Sequence, residues 1–187
     1  MIGTLRVSLR LLVLGGVLLI DPVARSTGVP LRQAQLEDFE FARTNYVMKS
    51  KAFAEQDRRA AIALIDDLKS HAGSLSPEKF LVSMLQITAF PHNAHDSFDA
   101  ADGWIPPTRL PLRMLWFSDA LVIARAAPGQ SDLLGAKVQT VEDLKPDELL
   151  AKLRAVCGAS DGYLRWNVVW IIENGGLLHA ARNWPFA

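Results

Sequence analysis

"LPLRMLWFSDALVIARAA", residues 110–127, decides the fold. Upstream of it apolar residues recur at three- and four-residue steps; inside it the period drops to two. The stretch reads as a strand, a tight turn at Ser118-Asp119-Ala120 and a second strand, with Trp116 and Phe117 expected in the sheet core. A helical pattern that gives way to a hairpin makes the chain α+β, not all-helical.

The upstream region, 33–92, is helical. "QLEDFEFARTNYVMKSKAF" sets Leu36, Phe39, Ala42, Tyr46 and Val47 on one stripe, and "DRRAAIALIDDLKSHAG" repeats the pattern with Ala61, Leu64, Ile65 and Leu68. Gly73 suits the end of that helix. In "SLSPEKFLVSMLQITAF", Ser76 is placed to cap a helix and Pro77 fits its first position. Phe80, Met84, Leu85, Ile87 and Thr88 continue the stripe until Pro91 stops it. Residues 93–111 form a connector rich in proline, glycine and aspartate.

Downstream, "DLLGAKVQTVEDLKPDELLAKLRAV" is a small-residue turn, a strand over about 136–141, a polar turn, and a helix from Pro146 that faces Leu149, Leu150 and Leu153 inward. Asp147 and Glu148 suit the positive end of that helix. The hairpin and this unit span 112–160. A C-terminal helical segment, 161–187, is interrupted at Gly175-Gly176 and carries Trp166, Trp170 and Trp184.

Composition bounds the function. Half of the 187 residues are hydrophobic and the formal net charge is zero. Zero net charge argues against a nucleic-acid binder, which needs a basic face to displace counterions. The single cysteine, Cys157, forms no intramolecular disulfide and reads as a small buried apolar residue. At the N-terminus Arg6 and Arg10 precede a ten-residue apolar run, "LLVLGGVLLI", followed by Ala24 and Ser26. That order describes a signal peptide over 1–26, the alternative being an uncleaved membrane anchor or a buried strand, and export would place the chain in the periplasm or outside the cell. The membrane is touched only through this segment.

The polar residues offer three chemistries. His92, His95 and Asp96 offer zinc-type donors, but their spacing does not suit one helix face, and a helix-ending loop with side-chain-to-backbone hydrogen bonds is the favoured reading over a metal site. No Gly-x-Ser-x-Gly elbow occurs, and no serine-lysine or histidine-carboxylate pattern surrounds Ser118, Ser131, Ser160 or His179. The pairs Asp66-Asp67 and Glu142-Asp143 read as solvated charges. No catalytic residue, cofactor or metal is assigned, and enzyme status stays open.

Taken in order, "LSPEKFLVSMLQITAFPHNAHDSF", "WFSDA" and "LLGAKVQTVEDLKPDELLAKL" resemble the N-terminal helical plus PDZ-like region of bacterial tail-specific (C-terminal processing) serine peptidase-like proteins, over about residues 33–165. Asn93 and His95 match the loop Asn-Gly-His-Thr/Ser, and Trp116 to Ala120 match Trp-Phe-x-Asp-Gly. Ala94 and Ala120 each stand where that pattern has glycine, so the turns must change type or carry strain. The resemblance implies a serine-type peptidase whose catalytic serine and lysine lie in a later domain, so no catalytic residue carries over. The expectation is an exported, non-catalytic chain, a truncated or degenerate form of such a peptidase, whose partner is an extended peptide or protein segment. The alternatives are part of an active serine peptidase, and a small metal-binding exported protein. Apolar surface around the tryptophans is expected to drive self-association.

Overall fold

The computed structural model describes residues 6–9, 31–96, 98 and 109–183. Most of the 1–26 segment, most of the connector after Asp96, and Trp184 lie outside them. The elements run β1 (Arg6–Leu9), α1 (Leu31–Phe41), α2 (Glu55–Ser70), α3 (Pro77–Ala89), β2 (Leu112–Trp116), β3 (Leu121–Ala126), β4 (Lys137–Val141), α4 (Pro146–Leu153), α5 (Asp161–Asn167), α6 (Val169–Ile172) and α7 (Gly175–Arg182). The fold is α+β.

The helical region forms its own core. Phe39, Ala42 and Val47 meet Ala61, Ile65 and Leu68 of α2, with the Phe39 and Phe80 rings 5.2 Å apart. A π-helical turn, Ala42–Val47, continues α1. The Arg58 guanidinium holds its exit by donating to the carbonyls of Val47, Ser50 and Phe53. Gln35 is buried on the same helix. Its amide donates to Leu75 O at 3.1 Å and accepts from the Gly73 amide at 2.7 Å, so one side chain satisfies both sides of the α2–α3 turn. Gly73 takes φ +89°, the left-handed conformation that ends α2.

Helix α3 begins as its sequence dictates, with Ser76 Oγ accepting from the Lys79 amide at 3.3 Å and Pro77 opening the helix. Every residue from Phe80 to Ala89 is buried, so the helix is covered all round where the periodicity suggested one stripe. Phe80, Met84 and Ile87 face the α1–α2 core; Leu81, Val82 and Leu85 face the sheet core. The two cores share this helix.

The sheet order is β1-β4-β3-β2. Strands β2, β3 and β4 are antiparallel, whereas β1 lies parallel to β4 and takes its outer edge. Leu112 and Met114 of β2 point inward with Leu121 and Ile123 of β3, Val138 and Val141 of β4, and Leu149, Leu150 and Leu153 of α4. Glu148 accepts from the Lys145 amide at 2.9 Å at the start of α4. Helices α5–α7 belong to this core as well, through Leu164, Ile171, Ile172, Leu177 and Leu178.

Several expectations are corrected here. Phe117 is exposed at the hairpin tip, whereas Trp116, on the face of Leu112 and Met114, packs against the sheet core but is only partly buried because β2 is an edge strand. Glu142 and Asp143 are not simply solvated, since both pair with Arg182 and so tie α7 to the β4–α4 turn. Neither Ala94 nor Ala120 takes a positive φ. The left-handed backbone falls instead on His92 (φ +53°) and Glu142 (φ +55°).

Gly158 sits against the C-terminal end of α3, where an added Cβ would strike the carbonyl oxygen of Ala89. Backbone is in the way, not a flexible side chain, so Gly158→Ala should cost about 1–3 kcal/mol. A melting temperature unchanged by the substitution would show that this junction opens freely.

Candidate functional site

An open groove of about 670 Å³ lies between β2 and the α5–α6 pair. The hairpin supplies one wall through Arg113, Leu115, Trp116 and Phe117. The helices supply the other through Arg165, Trp166, Val169 and Trp170. A second lobe of about 540 Å³ continues past the hairpin tip toward Lys137, Lys145 and the first turn of α4, sharing Trp116, Phe117, Ser118 and Arg165 with the first. Leu115, Phe117 and Trp166, three of the large apolar side chains exposed on this protein, line the same groove.

Glu173 fixes the floor. Its side chain is 1% exposed and its carboxylate accepts from Arg109 at 2.6 Å and 3.1 Å, with Arg113 3.7 Å away. It also accepts from the Met114 amide at 2.7 Å, an N–H on the outer edge of β2. The Glu173 carbonyl takes the Leu110 amide at 2.6 Å. The first half of the β2 edge is thereby already occupied. Because successive amides alternate sides, the next outward-facing N–H and C=O belong to Trp116, at the hairpin end of the groove.

Arginines dominate the electrostatics. Arg113 and Arg125 are direct cross-strand partners, next to an irregularity in the β2–β3 register. Like charges in that position repel. Arg165 lies over the Trp116 ring at 5.6 Å. The Trp116 Nε1 and Arg165 Nε donors are buried and have no hydrogen-bond partner among the described residues.

No protein-family model, curated protein or solved structure matches this chain.

The loop with the conspicuous histidines is closed on itself. Asn93 Oδ1 accepts from the His95 amide at 3.1 Å and Asn93 Nδ2 donates to Asp96 at 2.9 Å. His92 and His95 are exposed. Asp96 turns toward Tyr46, whose hydroxyl is pushed above its ordinary pKa by burial and then by that carboxylate. Among the described residues no three His, Cys, Asp or Glu side chains gather where they could hold a metal ion. Cys157 is buried, with Asn167 Nδ2 3.6 Å from its sulfur. Ser70 Oγ lies 3.1 Å from His71 Nδ1, but both sit on the exposed end of α2 and neither lines the groove.

Sequence reasoning passed over Arg113, Arg125, Arg165 and Glu173. One signal was available: Arg113 and Arg125 stand equally far from Asp119 at the centre of the hairpin, so folding the sequence at that turn brings them together. Glu173 carried no such mark, since its partners lie about sixty positions upstream.

Proposed function

We propose that this protein is an exported, non-catalytic binder of extended peptide or protein segments. In this reading it corresponds to the helical plus PDZ-like front half of a tail-specific serine peptidase-like protein. The observation that carries the proposal is the groove itself: an edge strand, a helix opposite it, and exposed Leu115, Phe117 and Trp166 converging on one cleft. An entering segment would pair with the Trp116 amide and lay its side chains on Trp166 and Trp170. With β1 paired to β4, the sheet ends on the other side at β2, the strand that borders this groove.

Selection from a displayed pool of random octapeptides tests the proposal. The parent chain should enrich a peptide set, and Trp166→Ala, an exposed change, should weaken the enriched peptides by about tenfold or more while leaving the fold intact. Failure to enrich any peptide, or equal binding by the Trp166→Ala chain, would reject it.

A further inference from the structure

Resting on the peptide-binding reading, we infer that the segment taken by the β2–α5 groove is acidic, carrying a carboxylate among apolar or aromatic side chains. The first lobe is lined by Arg109, Arg113, Arg125 and Arg165 against a single carboxylate, Glu173. Arg109 and Arg113 already lean on Glu173. Arg125 and Arg165 have no ion-pair partner among the described residues, although the chain as a whole is neutral.

Three features converge on the same ligand chemistry. Arg113, whose guanidinium donates to the Leu110 and Leu112 carbonyls, and Arg125 are cross-strand partners, and an anion beside them would offset their like charges. Trp116 Nε1 and Arg165 Nε are buried donors that lack an acceptor, and a carboxylate supplies acceptors only. The surrounding Trp116, Phe117, Trp166 and Trp170 offer flat apolar area to the residues beside that carboxylate. The second lobe does not share this bias, because Lys137, Lys145 and Arg165 there meet Asp119, Asp147 and Glu148. Lys137 is already hydrogen-bonded to Asp119 at 2.6 Å and holds that carboxyl below its ordinary pKa. The anion is therefore expected toward the Arg113–Arg125 end.

The same octapeptide selection, run on the full chain, separates this inference from the reading beneath it. Enriched peptides should contain Asp or Glu. Replacing that residue by Asn or Gln in a synthetic copy should weaken binding about tenfold or more. Arg125→Gln should weaken the acidic peptide similarly and leave the neutral copy unchanged. Arg125 is exposed, so this variant carries the test even if Arg165→Gln, made in parallel, fails to fold. Raising the salt concentration should weaken the acidic peptide more than the neutral one.

Peptides enriched without acidic bias, yet still lost in Trp166→Ala, would overturn the inference and leave the groove reading standing. No peptide enriched at all would remove both. A single-stranded oligonucleotide that binds the groove more tightly than every acidic peptide would overturn the inference in favour of stacked bases and phosphates.

Discussion

Replacing Glu173 by alanine should lower stability by about 3 kcal/mol, the lower end of the cost of breaking a buried ion pair. The lower end applies because Arg109 and Arg113 are each less than half exposed but can still turn to water. The Met114 amide has no such escape and would be left buried without an acceptor. For a chain of this size the melting temperature should fall by roughly 6–12 °C. Glu173→Gln keeps an acceptor for that amide and should cost only about 1–2 kcal/mol. Equal melting of the alanine variant and the parent would mean that the hairpin and α6 are not held together by this carboxylate. The groove between them would then need another account.

The second large effect concerns α3. Phe80→Ala empties the α1–α2 core and Leu81→Ala empties the sheet core; each should cost about 3–5 kcal/mol. The two residues are adjacent in sequence but serve opposite sides of one helix. Each substitution should therefore shift a single cooperative transition followed by both tryptophan fluorescence and helical circular dichroism. The described tryptophans, Trp116, Trp166 and Trp170, lie in or beside the sheet unit, so Phe80→Ala provides the sharper test. If it melts the helical signal while the tryptophan signal stays in place, the two cores are independent and α3 does not couple them.

The elements with strong local causes could be read from the sequence alone. Ser76 and Pro77 started a helix, the change of period announced the hairpin, Pro146 opened α4, and Leu149, Leu150 and Leu153 went inward. Asn93 accepts from the His95 amide, a side-chain-to-backbone hydrogen bond of the kind a helix-ending loop calls for. What escaped depends on residues far apart in the chain. Gln35 is buried because it satisfies a turn about forty positions away, and Glu173 because it reaches an edge amide and an arginine almost sixty or more positions back. A binary apolar pattern marks both as surface residues. Trp116 and Phe117 misled for a related reason: period-two alternation places side chains on faces, but it does not tell an edge strand from a central one.

The parallel pairing of Arg6–Leu9 with β4 ties the start of the sequence to the sheet. Proteolytic trimming after the 1–26 stretch would strip away one strand and leave the backbone of Lys137–Val141 bare to the new surroundings. Maturation would then do more than release the polypeptide: it would unveil a fresh ribbon border, one that a neighbouring molecule could zip onto, at the opposite margin of the sheet from the arginine-lined cleft.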